Sequence, residues 1–373
     1  MSQSKKKILF TSHTANFQKF NRPFMRMLRQ QGWEVHYASM GEEKIHDCDR
    51  QFVVPFMRSP FKLRNIVAYR QLKRIIDREQ YDVIHTHTPV GSVITRLAAR
   101  RARRRGTQVI YTAHGFHFFT GAPLINWLTY YPIERVMARY TDVLITINQE
   151  DYDRAKKQFK TQVLYVPGVG VDPQKFGVTL DHKAKRALRA KLNLGPSDFV
   201  ITYVAEISKR KNQSWLVDTL RTTLQQNSTI HLLLVGGDSL HGKIQQKVSV
   251  YGLEKQVHFL GYRNDIPSLL GISDLYVSSS TQEGLPVNVL EALMSRLPIV
   301  SRGCRGVVEL LDLVGISPAN DATAFKAAVE SHKAHRSLSN THIDTTPLKQ
   351  YTITSVMAQM KRLYLSDWSS VDE

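Results

Sequence analysis

The sequence predicts an α/β protein with two domains, each built around a parallel β-sheet. In both halves of the chain, short apolar runs of strand length alternate with longer segments of helical periodicity, which is typical of parallel sheets with crossover helices. A stretch rich in proline and glycine, residues 164–173, interrupts this alternation and indicates an interdomain linker. The length of 373 residues is sufficient for two domains with separate cores. We therefore expect domains at residues 1–168 and 169–352.

The first half contains five predicted strands and two clear helices. The strands are short runs of apolar and β-branched residues at 8–11, 34–38, 83–87, 109–112 and 143–147. Between them, apolar residues recur at helical spacing in 21–31 and 66–78. The strands are mostly apolar along their length, so we expect them to be buried between layers of helices.

The second half has the same organisation. It begins with a basic helix at 182–192, and its last strong helix covers 352–364. A shorter helix, 287–294, follows Pro286, which suits the start of a helix because a missing N–H costs nothing there. The predicted strands are 199–204, 230–235, 257–260, 275–278 and 299–301.

The net charge of +19 is concentrated in the first half of the chain. Residues 1–170 hold 28 Lys and Arg against 13 Asp and Glu, whereas the remainder holds 23 against 19. Two basic clusters, 22–29 and 58–70, alternate with Phe, Met, Leu and Ile as interfacial helices do, and a third lies at 100–105. Anionic lipid attracts such segments by about 1 kcal/mol per basic residue. The alternatives are a solvated basic face or nucleic acid, for which the chain shows no recognisable module.

The sequence also predicts a cytoplasmic protein. No apolar stretch approaches the ~20 residues that span a bilayer, and no hydrophobic signal core follows the lysines at 5–7. Cys48 and Cys304 lie in separate halves and suggest no disulfide framework.

Two carboxylates eight residues apart, Glu283 and Glu291, are the strongest candidates for a functional site. Glu283 follows the predicted strand 275–278, and Glu291 lies in the helix that begins after Pro286. Ligands of open α/β sheets bind at the carboxyl ends of strands, and helix N-termini there attract phosphate. The alternative is an ordinary strand–loop–helix with two solvated glutamates.

Further motifs surround this glutamate pair in a fixed order. They are the segments 112–118, 131–151, 203–212, 232–238 and 257–266. Together with the glutamates they resemble the family 4 glycosyltransferases, in particular the branch found in bacterial capsule and exopolysaccharide clusters. The resemblance implies the GT-B fold, which has two facing Rossmann-like domains. It further implies that 1–168 binds acceptor, that 169–352 binds donor, and that a terminal helix within 353–373 crosses back to the first domain.

The resemblance implies that Lys211 is the cation that holds the donor phosphates. Many relatives carry Arg where this chain has Glu206, so Arg210 or Arg302 is expected to supply a second charge. Glu283 is expected to hold hydroxyls of the transferred sugar rather than to attack. The remaining donor contacts implied are Arg263, Gly284, Leu285, Pro286, Val287, Asn288 and Glu291.

On the acceptor side, the resemblance matches His114 to the active-site histidine of the family. His117 belongs to the same loop, and Asn16 and Phe17 stand where many relatives have a glycine-rich turn. The lack of glycine there also argues against a nicotinamide site. His87 lies two residues after His85, a spacing that could suit a metal, but no third ligand is apparent. Core packing or acceptor lining is therefore preferred for this pair.

These features predict a retaining glycosyltransferase that moves a sugar from a nucleotide diphosphate, a uridine diphosphate sugar, to a lipid-linked glycan. Lys211 and the helix before Glu291 would stabilise the phosphates, so no metal or other cofactor is expected. The enzyme would work at the inner face of the plasma membrane, on an anionic surface and without nucleic acid. The alternatives are a GT-B epimerase or phosphorylase and, more remotely, a basic nucleic-acid-binding protein. The sequence does not determine the sugar, the linkage or the oligomeric state.

Overall fold

The structure is a computed structural model that describes residues 5–177, 180–336 and 343–366. The chain packs as two compact units. The N-terminal unit comprises Met1–Gly170 and Ile353–Glu373, and the C-terminal unit comprises Val171–Thr352. The last part of the predicted terminal segment, 367–373, lies outside the described residues.

The predicted α/β class with parallel sheets is confirmed. In the described part of the chain, twelve strands form two sheets whose neighbours all pair in parallel. The strands are β1 (Lys7–Thr11), β2 (Glu34–Ser39), β3 (Arg50–Val53), β4 (Val83–His87), β5 (Gln108–Ala113), β6 (Val143–Thr146), β7 (Gln162–Tyr165), β8 (Phe199–Val204), β9 (Ile230–Val235), β10 (Val257–Gly261), β11 (Leu275–Ser278) and β12 (Ile299–Ser301). The sheet order is β3-β2-β1-β4-β5-β6-β7 in the N-terminal unit and β10-β9-β8-β11-β12 in the C-terminal unit.

Helices connect consecutive strands in most cases. They are α1 (Gln18–Gln30), α2 (Arg64–Glu79), α3 (Pro89–Arg103), α4 (Leu124–Met137), α5 (Gln149–Gln158), α6 (Pro173–Phe176), α7 (His182–Lys191), α8 (Gln213–Gln226), α9 (Lys243–Val250), α10 (Ile266–Ile272), α11 (Val287–Met294), α12 (Arg305–Leu313), α13 (Ala322–Ala334) and α14 (Ile353–Leu365). Within the ranges that the structure describes, no helix is both long enough and apolar enough to cross a bilayer.

The core of the N-terminal unit has a layer on each side of its sheet. On one side, α1 and α14 pack on β1 through side chains such as Phe10, Leu28 and Met360. On the other side, α2 and α3 bury Leu72 and Ala98 against the sheet. The C-terminal helix therefore belongs to the N-terminal unit, as the resemblance implied.

Two strands of this sheet were not predicted. Both β3 and β7 are outermost strands, and their residues are mostly half-buried or exposed. Such edge strands lack the continuous apolar run that identifies a central strand. Because β7 ends at Tyr165, the stretch 164–173 is not entirely linker: its first two residues pair with β6.

The prediction that residues 22–29 form an interfacial helix is wrong. Phe24, Met25 and Leu28 of this segment are buried in the core, so α1 has no apolar face to offer a membrane. Its arginines pair with carboxylates that fold back from the segment after β2. Arg22 lies 2.9 Å and Arg26 3.3 Å from Asp47, and Arg29 lies 2.9 Å from Asp49.

The hydroxyl group of Tyr364 links α14 to the sheet. It lies 2.6 Å from Nδ1 of His85, whose Nε2 lies 2.7 Å from Oγ1 of Thr112. All three groups are buried, so each hydrogen bond replaces one that water would otherwise make.

We predict that Tyr364→Phe lowers the free energy of unfolding by about 1–3 kcal/mol, because buried His85 loses a hydrogen-bond partner while the ring packing is kept. Urea unfolding would measure this difference. Tyr262→Phe is the matched control, since Tyr262 is largely exposed. A loss no larger than that of the control would contradict the prediction.

Candidate functional site

Each sheet reverses its strand order once. In the N-terminal unit the reversal lies between β1 and β4, and in the C-terminal unit it lies between β8 and β11. At such a reversal the connections leave in opposite directions, so a crevice opens at the carboxyl ends of the two strands. Most of the predicted site residues lie at the ends of these strands or of their neighbours, or in the segments that follow them.

An ion triad lies at the reversal of the C-terminal unit. Lys211, on the loop after β8, places its Nζ 2.5 Å from Oε1 of Glu283, on the loop after β11. Arg210 binds the other carboxylate oxygen at 3.0 Å. Lys211 is 9% and Glu283 7% exposed, so solvent screens their interaction only weakly. With two cations and one anion, the triad carries a net positive charge.

Hydrogen bonds fix the two loops against each other. The carbonyl oxygen of Lys211 accepts from the hydroxyl groups of Ser279 at 2.9 Å and of Tyr203 at 3.0 Å. The N–H of Thr281 donates to the carbonyl oxygen of Arg210 at 2.9 Å. The sequence did not identify Tyr203 or Ser279 as part of the site. The run of serines that follows β11 is the only local sign of them.

The glutamate loop leads directly into α11. Gly284, Leu285 and Pro286 connect Glu283 to Val287, where the helix begins, and no side chain caps the helix N-terminus. The first N–H groups of a helix have no partner within it, so they are available to an anion. Gly306 of α12 packs closely on this loop, because a Cβ there would lie 2.0 Å from the carbonyl oxygen of Gly284.

Asn288 and Glu291 lie on the first turns of α11. They differ in how far their side chains are already engaged within the protein. The amide nitrogen of Asn288 donates to the carbonyl oxygen of Val204 and to the hydroxyl of Tyr276, both at 2.9 Å. Asn288 therefore ties the helix to β8. Burial raises the pKa of Glu291 to about 7, and the positive charge of Lys175 opposes this only in part.

The structure distinguishes the candidates for a second cation. Arg210 lies in the triad, whereas Arg302 stacks over the ring of Trp215 at 4.7 Å. Glu206, where the resemblance led us to expect Arg, is exposed and accepts a hydrogen bond from the hydroxyl of Ser239.

Arg263 does not join this group. It forms a bidentate ion pair with Asp265, at 2.8 and 2.6 Å, on the loop after the outer strand β10. Since β9 separates β10 from β8, two strand spacings of ~4.8 Å lie between that loop and the loop of Lys211.

In the N-terminal unit, His114 stands on the loop after β5, beside aromatic rings. Its Nε2 lies 3.1 Å from Nδ1 of His87, and the ring of Phe17 meets it edge-on at 4.8 Å between centroids. His87 is 2% exposed, so core packing, one of the two roles that the sequence left open for it, is consistent with its burial. Its ring also contacts that of His114.

The other predicted acceptor residues are less closely grouped. Asn16 is exposed in the 3₁₀ turn Ala15–Phe17 after β1. His117 stacks on Tyr130 of α4, with ring centroids 4.4 Å apart. His85 packs in the core, and its ring lies 4.3 Å from that of His87, as expected for alternate residues of one strand.

All three histidines of this cluster are uncharged at neutral pH. Burial lowers the pKa of His114 to about 4 and that of His85 to about 3, where the charge of His114 adds to the effect. Burial likewise holds the pKa of His87 well below its usual value. His114 can therefore donate or accept a hydrogen bond at neutral pH, but it does not supply a positive charge. No group of three or more His, Cys, Asp or Glu suited to a metal occurs among the described residues.

Comparisons with known proteins identify both units. Residues 7–148 match the family model described as glycosyl transferase 4-like, and residues 198–332 match the model described as glycosyl transferases group 1. Over 311 residues the chain is 41% identical to the putative glycosyltransferase EpsD of Bacillus subtilis, and this match covers 82% of the chain and 81% of the relative.

The chain is also similar to a galactosyltransferase and to a solved structure with bound UDP. The chain is 28% identical over 270 residues to UDP-Gal:alpha-D-GlcNAc-diphosphoundecaprenol alpha-1,3-galactosyltransferase of Escherichia coli, covering 70% of the chain and 68% of the relative. It also resembles the crystal structure of HepE from Anabaena in complex with UDP and glucose. That similarity has a TM-score of 0.74 at 19% identity and covers 96% of this chain and 99% of the other.

We predict that the folded protein loses stability as the pH falls below about 6.5, because the unfolded chain then protonates His85, His87 and His114 before the folded protein does. The loss continues until the pH reaches the folded pKa values. Between pH 6 and pH 5 each histidine should contribute about 1 kcal/mol. Urea unfolding of His114→Gln should show a loss smaller by that amount. The exposed His182→Gln is the control, and equal slopes for both variants would contradict the account.

Proposed function

This chain belongs to the family 4 glycosyltransferases of bacterial exopolysaccharide and capsule biosynthesis, which have the GT-B fold, and we propose that it transfers a sugar from UDP to a lipid-linked glycan with retention of anomeric configuration. The observation that carries the donor assignment is the triad of Lys211, Arg210 and Glu283 beside the N-terminus of α11. A positive cluster at a strand-order reversal suits a diphosphate.

Glu283 pairs with both cations of the triad. When the diphosphate of the donor enters, its oxygens take over as partners of Lys211 and Arg210, since a diphosphate carries more negative charge than one carboxylate. The carboxylate of Glu283 is then available to accept hydrogen bonds from hydroxyl groups of the transferred sugar. Glu291, further along α11, is proposed to bind the ribose.

The chemistry then needs no enzyme nucleophile. The hydroxyl oxygen of the acceptor forms a bond to the anomeric carbon on the face from which UDP departs, and the bond from that carbon to the phosphate oxygen breaks. UDP leaves with the electron pair, and the hydroxyl proton moves to a phosphate oxygen. Lys211, Arg210 and the first N–H groups of α11 stabilise the charge that develops on the leaving diphosphate.

His114 is proposed to contact the sugar near the reacting carbon as a neutral hydrogen-bonding group. His87 lies 3.1 Å from Nε2 of His114, which leaves Nδ1 to contact the sugar in this proposal. The acceptor is proposed to be a glycan on a polyprenyl diphosphate, by analogy with the Escherichia coli relative. Such an acceptor would hold the enzyme at the inner face of the plasma membrane.

We predict that Lys211→Ala and Glu291→Ala weaken UDP binding, while Glu283→Ala chiefly lowers turnover. Loss of one positioned contact should cost about 2–4 kcal/mol. Titration calorimetry with UDP and steady-state rates would separate the two effects. Lys209→Ala, an exposed lysine next to the triad, is the matched control. Rates within about twofold of wild type for all three variants would contradict the assignment of the donor site to these residues.

Activity is also predicted to persist in excess chelator, because cations of the protein and a helix N-terminus serve the leaving phosphates. Rates with the same donor should be measured in chelator and after adding magnesium or manganese. Activity that disappears in chelator and returns only with the metal would count against the scheme.

A further inference from the structure

The start of α2 exposes an unusual amount of apolar surface. Phe61 is 92% and Leu63 80% exposed just before the helix, and Ile66 and Val67 on its first turn are also exposed. Scattered exposed apolar residues are normal, but a contiguous group of large ones marks an interaction surface.

Helix α4 buries a charged residue and exposes several large apolar ones. Of its residues only Glu134 and Met137 are fully buried, whereas its exposed side chains include Leu124, Ile125 and Leu128. A buried glutamate is costly unless it is paired, and it is held here by Arg96 of α3 at 2.9 Å. The helix is held to the unit by this ion pair and by Trp127, Tyr130 and Tyr131, which pack on its core, and its other face exposes apolar side chains.

Both groups begin at the same edge of the sheet. The segment before α2 follows the carboxyl end of β3, and the segment before α4 follows the carboxyl end of β5. In a parallel sheet these ends share one edge, which is also the edge of His114. Arg58, just ahead of Phe61, lies close enough to His13 after β1 that its charge adds to the effect of burial in lowering the pKa of His13.

Basic residues flank the apolar ones at the start of α2. Arg58, Lys62 and Arg64 are exposed, and none of them forms an ion pair with the residues that the structure describes. In this respect they differ from the arginines of α1, which Asp47 and Asp49 neutralise.

We propose that an apolar rim, formed by Phe61, Leu63, Leu124, Ile125 and Leu128, inserts into the headgroup region of an anionic bilayer while Arg58, Lys62 and Arg64 bind its lipid phosphates. This proposal rests on the membrane association proposed above and identifies the surface that performs it. In this proposal the apolar rim and its flanking basic residues, rather than α1, form the surface that contacts the membrane.

Charge favours a bilayer over a second copy of the chain as the occupant. If the rims of two copies faced each other, the unpaired Arg58, Lys62 and Arg64 of one copy would approach those of the other, and their repulsion costs free energy. An anionic bilayer supplies the opposite charge and an apolar interior at once. A bilayer at this edge would also bring a lipid-linked acceptor to the edge of the sheet on which His114 lies.

Vesicle co-sedimentation of the full chain tests the apolar part. Vesicles of equal parts phosphatidylglycerol and phosphatidylcholine are compared with vesicles of phosphatidylcholine alone. The triple variant Leu63→Ser, Leu124→Ser, Leu128→Ser should partition onto anionic vesicles at least about tenfold less than wild type. Val250→Ser, which alters an exposed valine of the C-terminal unit, is the control and should bind like wild type.

A charge-matched pair of variants tests the basic part. Arg58→Gln, Lys62→Gln, Arg64→Gln should reduce partitioning by about 100-fold at low salt. The control removes the same charge from the end of α3 and the residues after it, towards the opposite edge of the sheet, by Arg101→Gln, Arg104→Gln, Arg105→Gln. Its binding should stay within about threefold of wild type. These exposed positions keep the fold intact, and circular dichroism and the Tm of each variant check this.

The outcomes separate the rim from the membrane association itself. If wild type binds neither vesicle, both the association and the rim are overturned. If wild type binds anionic vesicles and the rim variants bind equally well, the rim is overturned and the association stands. If sedimentation velocity shows that the apolar variant dissociates an oligomer while vesicle binding is unchanged, the rim is an interface between copies and the proposal is also overturned.

Discussion

The reversal of strand order in each sheet is the constraint on which the rest of this protein depends. It opens the carboxyl ends of β8 and β11, and the loops after these strands bring Lys211 and Glu283 within ion-pair distance. The equivalent reversal between β1 and β4 opens the edge at which Phe17 and His87 meet His114. Local hydrogen bonds refine these positions, but the strand order decides which loops can meet.

The candidate sites of the two units differ in charge. In the C-terminal unit, a buried carboxylate holds two cations together and leaves a net positive charge. In the N-terminal unit, burial removes the charge of the histidine cluster. This difference suits a division in which one unit binds an anionic leaving group and the other presents neutral hydrogen-bonding groups. In α4 of the N-terminal unit, by contrast, the buried Glu134 is paired with Arg96, while several apolar residues are exposed.

The apolar central strands could be predicted from sequence, because burial on both faces leaves a continuous apolar run. The helix after Pro286 could be predicted because proline suits the start of a helix. The edge strands β3 and β7 could not, since their residues are half-buried or exposed and form no continuous apolar run. Position at a strand end and at a helix start pointed to Glu283 and Glu291, whereas Lys211 and Arg263 were expected from the resemblance. Arg263 lies after the outer strand β10, bound to Asp265. The interfacial interpretation of α1 failed because its neutralising partners, Asp47 and Asp49, lie about twenty residues away in the chain and meet it only in the fold. Contacts of this kind leave no periodic trace in a sequence.

Hydrogen–deuterium exchange with and without UDP would show which loops bind the diphosphate, because it reports on all loops of the protein in one experiment. If the triad and the start of α11 bind the diphosphate, UDP should slow exchange in peptides covering residues 208–213 and 281–291, with little change in the sheet of the N-terminal unit. Protection confined to other segments, or no protection at saturating UDP, would contradict the assignment of the donor site to this reversal of strand order.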